Sequence, residues 1–306
     1  MKQKKEWLTK AKKREVKKKD RGVVDMARIL YHFFKDLPQW INEMSDPRNP
    51  SYTTYTQSDL IFMGIIKNMC GIETMRSMEE QFNEENCIDT LSILSGDRNL
   101  SEMPHSDTLN YYLEKLSPTC LSDVRKRMVQ SLIRMKTFNR ARLLGKYWRV
   151  IIDGTGLFYF KEKHCENCLV TTLSREENGK EIKVKRYYHK VLEAKLALAE
   201  NIVISLDTEF IENESEEVSK NDCEINAAKR LLDRLKKDYP KLPICLQGDA
   251  LYAAESIMNI CNEKQWKYIL TQKESRQKTL AESYDYIQSG GGAQTVKKIG
   301  KEKGEG

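Results

Sequence analysis

The chain has 306 residues, 40% of them hydrophobic and 32% charged, which is the composition of a globular protein long enough to bury a core. No apolar stretch approaches the roughly 20 residues of a membrane span. The Lys-rich start lacks the apolar segment of a secretory signal, and eight cysteines without such a signal point to reduced cytoplasmic thiols rather than a disulfide scaffold. The formal charge of +7 is concentrated at one end, where residues 1–21 hold eleven Lys or Arg against three acids.

That first segment, residues 1–22, is predicted to be a basic arm. A block of like charge is either a solvated tail or a phosphate-seeking arm that raises affinity without reading sequence. Lys12, Lys13, Arg14, Lys17, Lys18 and Lys19 are its candidate contacts to double-stranded DNA.

Residues 23–140 are predicted to be helical throughout. Ile29, Leu30, Phe33, Phe34 and Leu37 recur at helical spacing until Pro38 interrupts, and Asp46-Pro47-Arg48-Asn49-Pro50 is a loop. Leu60, Ile61, Met63, Ile65 and Ile66 predict a buried helix. Leu109, Tyr112, Leu113 and Leu116 follow the cap candidates Ser106 and Asp107, and Ser117-Pro118 restarts a helix that runs to about Lys136. Short helices joined by turns fit either a DNA-reading helix-turn-helix or a plain helical bundle.

From residue 141 the pattern alternates between strand and helix. Arg149–Ile152, Ile182–His189 and Glu193–Ser205 are predicted strands, with a hairpin turn at Glu176–Lys180. The Ala-rich piece after Glu193 also fits a helix. Then follow a helix over 221–238, a strand to Leu246, a helix over 253–264 and a strand at 268–270. This order predicts an α/β fold, a mixed sheet flanked by helices and preceded by the all-α region. A ribonuclease H-like sheet is one of several folds compatible with it. The Gly- and Lys-rich residues 289–306 are predicted to be a disordered tail.

Two aspartates carry the chemistry. Asp153 follows Val150-Ile151-Ile152, and Asp249 follows Ile244-Cys245-Leu246 with two residues between. A carboxylate just past a buried strand is costly unless paired, hydrogen-bonded or bound to a cation. Gly154, Gly156 and Gly248 beside them leave room for a bulky ligand. Either these are strand-end turn residues, or the two carboxylates meet and hold a divalent ion over a phosphate. Asp222 and Glu224, at the start of the 221–238 helix, suit its positive end.

A second set, His164, Cys165 and Cys168, has zinc-ligand chemistry, with His189 or Cys223 as a possible fourth ligand. Only one Cys-x-x-Cys knuckle is visible, and adjacent His164 and Cys165 strain joint ligation, so buried thiols in a strand pair are the competing reading.

Asp153-Gly154-Thr155-Gly156-Leu157 and Leu246-Gln247-Gly248-Asp249-Ala250-Leu251-Tyr252-Ala253 resemble the first two acidic motifs of bacterial insertion-sequence DDE transposases of the insertion-sequence-four-like class. His164-Cys165-Glu166-Asn167-Cys168-Leu169, Tyr188-His189-Lys190-Val191-Leu192-Glu193-Ala194-Lys195, Thr208-Glu209-Phe210-Ile211-Glu212-Asn213 and Asn221-Asp222-Cys223-Glu224 extend the resemblance, which covers about residues 50–285. It implies a ribonuclease H-like catalytic domain, over residues 141–288, that cuts and joins DNA at mobile-element ends. By that resemblance, Asp153 and Asp249 hold Mg2+ (or Mn2+), and the partners are element-end and target DNA. It also implies a homodimer in the synaptic complex and a bacterial, nucleoid-associated, cytoplasmic location. The family's third acid, a glutamate in a later tyrosine–arginine–glutamate–lysine signature, has no matching motif here. Glu274 and Glu282 lie in the right direction outside any such signature, so the chain resembles a front part of a transposase, ended early. With two acids alone it is expected to bind DNA but cleave it poorly. The alternatives are a truncated DNA-binding regulator of transposition and a metal-dependent nuclease unrelated to it.

Overall fold

A computed structural model describes residues 22, 25–82, 84–136, 138–177, 180–199, 201–213, 222–273, 282, 283, 285 and 286. The six basic residues of the arm, the tail and Glu274 lie outside them, and Glu282 is exposed. The chain divides into two compact units, Met1–Asn139 and Arg140–Gly306.

The first unit is helical where described: α1 (25–33), α2 (Leu37–Asn42), α3 (Gln57–Met69), α4 (Met75–Phe82), α5 (Glu85–Ser95), α6 (Ser106–Lys115) and α7 (Pro118–Arg134). Pro38 stands in the first turn of α2, where its missing N–H costs nothing. α3 starts from a reciprocal cap, the Thr56 side chain accepting from the Asp59 N–H while Asp59 accepts from the Thr56 N–H. Leu60, Phe62 and Met63 bury one side of α3 against Leu91, Leu109 and Tyr112 in the unit's core, while Ile65 is 37% exposed. The helix is therefore buried all round in its first turn, Gln57 to Leu60, and on one side beyond it. The cap of α6 also differs from expectation. His105, not Ser106 or Asp107, is the N-cap residue, its Nδ1 accepting from the Asp107 N–H at 3.2 Å. An imidazole nitrogen does here what Ser or Asp usually does.

The second unit is a mixed open sheet flanked by helices, an α/β architecture. Its strands are β1 (Trp148–Phe160), β2 (Leu169–Glu177), β3 (Lys180–Ala199), β4 (Ile202–Ile211), β5 (Ile244–Gly248) and β6 (Lys267–Leu270), with α8 (Glu224–Asp238) and α9 (Glu255–Glu263) between the later ones. β1 and β3 are antiparallel, and β2 and β4 both pair with β3, over its first and second halves respectively. β5 and β6 are parallel to β1 and to each other, each entered through a helix. Trp148, Val150, Ile152, Leu192, Ala194, Leu196, Ile244 and Leu246 are buried, as are Ala228, Leu231, Leu232 and Leu235 of α8.

Two strand boundaries depart from the sequence reading. The expected strand Glu193–Ser205 is two strands, because Ala199 pairs with Ile202 and the chain reverses between them. Apolar alternation runs through both arms of this tight hairpin, so periodicity alone does not mark the break. β1 also runs on to Phe160 rather than ending at Ile152, because β3 remains its partner over that length. Among the described residues no helix is long and apolar enough to cross a membrane.

Candidate functional site

The β1–β5 register sets the first feature of the site. Ile151 stands opposite Gln247, and two residues further along each chain come Asp153 and Asp249. Extending this register sets Asp153, partway along β1, level with Asp249, just past the carboxyl end of β5, on adjacent parallel strands that run about 4.8 Å apart. Side chains alternate along a strand, so Asp153 turns away from the face on which Ile152 is buried. Both aspartates are exposed. On the other side of Asp153, β3 sets Glu193 directly opposite it. Like charges in such positions repel, and Lys195, with Nζ 3.4 Å from Glu193, offsets part of that charge.

The residues after β5 build the second feature. Asp249 accepts the Leu251 N–H on Oδ1 at 2.8 Å, and its carbonyl accepts the Tyr252 N–H at 3.1 Å, a side-chain-stabilised turn. The turn folds Tyr252 back over Gly248. The Tyr252 ring is fully buried, and its hydroxyl donates to Glu224 Oε2 at 2.6 Å. The other oxygen of Glu224 accepts from Lys190 Nζ. The same carboxyl fills the space beside Gly154, where an added Cβ would stand 2.6 Å from Glu224 Cδ. Burial pushes the Tyr252 hydroxyl far above its ordinary pKa, and Glu224, Asp153 and Asp249 push it the same way. One hydroxyl therefore senses the charge of all three acids and stays a donor.

Glu224 thus has a different place from the one its position at a helix start suggests. It reaches the sheet, while its neighbour Asp222 accepts from Arg230 at 2.6 Å. The sequence signals were present, in Tyr252 three residues after Asp249 and Lys190 beside His189. What was not legible is that α8 aims Glu224 at both.

A second cluster lies where the segment after β1 enters β2. Cys165 Sγ and Cys168 Sγ are 3.7 Å apart, and His189 Nε2 is 3.5 Å from the first and 3.3 Å from the second. His189, not Cys223, faces both sulfurs. Cys223 is an exposed residue at the N-cap of α8. Ligand atoms of His164, Cys165 and His189 all lie within 4.8 Å of one another, whereas Asp153, Asp249 and Glu224 are more widely spaced. Burial pushes the Cys165 thiol up, against the backbone amides of Asn167 and Cys168, which donate to its sulfur.

No family model matches the chain, and no curated protein matches it in sequence.

Proposed function

We propose that this chain is a DNA-acting phosphodiester enzyme of the DDE transposase type, with Asp153 and Asp249 as its metal-holding pair. The observation that carries this reading is the β1–β5 register, which sets Asp153 of β1 level with Asp249 just past the carboxyl end of β5. Four antiparallel strands, β1 to β4, followed by two parallel ones entered through helices support a ribonuclease H-like reading of the sheet, with β2 as an added strand at its edge.

The donor set suits Mg2+ or Mn2+, since hard carboxylate oxygens on an exposed rim leave room for waters and for phosphate oxygens. When bound, such ions supply a nucleophilic oxygen at neutral pH and stabilise charge on the leaving oxygen. The chain's own residues hold the frame. The turn at Asp249 fixes one carboxylate, and Tyr252 and Lys190 hold Glu224 at the shoulder of Asp153.

The test uses the full chain, a labelled element-end duplex and Mg2+ or Mn2+. Wild type is expected to bind the duplex and to nick it only slowly and in a metal-dependent way, because the third acid of the resemblance has no match in this chain. Asp153→Asn and Asp249→Asn should each lower the rate by at least about 100-fold, as loss of one member of a unit that acts together does, while DNA binding is retained. Nicking that survives both substitutions refutes the pair. Joining of the freed 3′ end to a target distinguishes transposition from plain nuclease action.

A second reading rests on the partners of Glu224. Both of its oxygens are engaged, by Lys190 and Tyr252, so only the two aspartates stand ready for metal. On that reading the chain is a DNA-binding regulator that occupies element ends, and the same assay gives binding without nicking.

A further inference from the structure

The sulfur cluster is separate in chemistry from the acidic site, because thiolates select soft or borderline metals and not magnesium. Tetrahedral zinc has bonds of about 2.3 Å to sulfur and about 2.0–2.1 Å to nitrogen, so its ligands stand roughly 3.8 Å apart for two sulfurs and roughly 3.5 Å for sulfur and nitrogen. The three separations here are 3.7 Å between Cys165 and Cys168, and 3.5 Å and 3.3 Å from those sulfurs to His189 Nε2. Three edges of a zinc tetrahedron are therefore already formed. A disulfide would bring the sulfurs to about 2.05 Å, and both cysteines are free.

The surroundings are those of a metal knuckle. In Cys165-Glu166-Asn167-Cys168, the Cys168 N–H donates to the Cys165 carbonyl at 3.4 Å and closes the turn that brings the two sulfurs together. Asn213 then ties the knuckle to the chain beyond β4, its Nδ2 donating to the Cys168 carbonyl at 3.1 Å and its N–H to the Asn167 carbonyl at 3.4 Å. His189 is held in β3 opposite Phe158. His164 is the candidate for the remaining corner: its ring stacks on Phe160 with centroids 4.6 Å apart, and its ligand nitrogen lies within 4.8 Å of the ligand atoms of Cys165 and His189. That group does not take in Cys168, so the ring must turn to relieve the strain of ligating beside Cys165 and complete the set.

We infer that Cys165, Cys168 and His189, with His164 as the fourth ligand, form a structural Zn2+ site that fastens the start of β2 to the middle of β3. Four protein ligands close the coordination sphere, so the role is structural and not catalytic. Binding releases the two thiol protons, leaves both imidazoles neutral and involves no redox step. The site is adjacent in sequence to Lys190, so the metal braces the strand whose ammonium holds Glu224.

The experiment measures metal in the full chain purified under reducing conditions without chelator. One zinc per chain is expected by mass spectrometry. Exchange with Co2+ should give the visible bands of tetrahedral cobalt and a near-ultraviolet thiolate charge-transfer band. Cys165→Ser and Cys168→Ser should each lose the metal and that band, whereas Cys120→Ser, in the helical unit, should keep both. His164→Asn should retain cobalt with altered visible bands, and an unchanged spectrum would remove His164 from the site. Three results overturn the proposal: folded wild type that takes up neither zinc nor cobalt, metal retained in full by the Cys165→Ser, Cys168→Ser double variant, or a Cys165–Cys168 disulfide in place of metal. The wild-type measurements decide the matter even if the cysteine variants fail to fold.

Discussion

Gly248 shows how closely the acidic site is packed at the scale of single residues. A Cβ there would lie 2.9 Å from Tyr252 Cδ2 and 3.2 Å from its Cβ. The fully buried ring has no solvent to swing into. Gly248→Ala should therefore cost about 1–3 kcal/mol, as overpacking a dense core does, and should pull the Tyr252 hydroxyl from Glu224. Urea unfolding measures the first effect, and tyrosine titration followed by ultraviolet absorbance measures the second. A variant of unchanged stability would mean that the turn after Asp249 is loose. Gly154 is a milder case, because the group in its way is the end of a Glu side chain rather than a ring.

At the scale of elements, α8 and β4 are joined by charge as well as by apolar packing. Asp207 and Glu209 lie two apart on β4, and Arg230 and Arg234 lie four apart on α8, so each pair shares one face of its element. Arg234 Nε donates to Asp207 at 2.8 Å, its Nη2 to the Thr208 carbonyl at 3.1 Å and its Nη1 to Glu209, which Arg230 also reaches. The acids are nearly buried while the guanidinium groups remain 40–45% exposed. Removing one arginine leaves acids short of a partner in a poorly solvated place. Arg234→Ala should cost about 3 kcal/mol, the low end for breaking a buried pair because solvent reaches the arginine side. Arg234→Lys should recover part of that loss. Chemical denaturation of the three proteins checks the order. The residues Thr208-Glu209-Phe210 stand out in the sequence, yet their partner cations lie more than 20 positions away, so this ladder was not legible there.

For the whole molecule, the uneven charge sets the expectation for DNA. The arm over residues 1–21 carries an excess larger than the net charge of the full chain, so the remainder is close to neutral. Deleting it should flatten the plot of log affinity against log salt by about 0.9 for each phosphate that the arm neutralises on duplex DNA. Fluorescence anisotropy over a salt series measures this, and an unchanged slope would exclude the arm from the binding surface. Any preference for element ends should survive in weakened form, since phosphate contacts position a protein while base contacts specify its site.

Local pattern in the sequence was enough to locate the elements that carry the site. The apolar runs before Asp153 and Asp249, the helix over 221–238 and the Cys-x-x-Cys pair are all short-range features, because burial and turn chemistry repeat within a few residues. The sequence also singled out His189 as a possible partner of the cysteines, though it left Cys223 equally open. Tertiary structure decided which distant residues meet. The parallel β1–β5 register levels the aspartates across 96 positions, the antiparallel β2–β3 pairing carries His189 to the sulfurs, and α8 delivers Glu224 to Lys190 and Tyr252. Periodicity says which face of an element is buried, but only the pairing of strands and the seating of a helix say what that face meets.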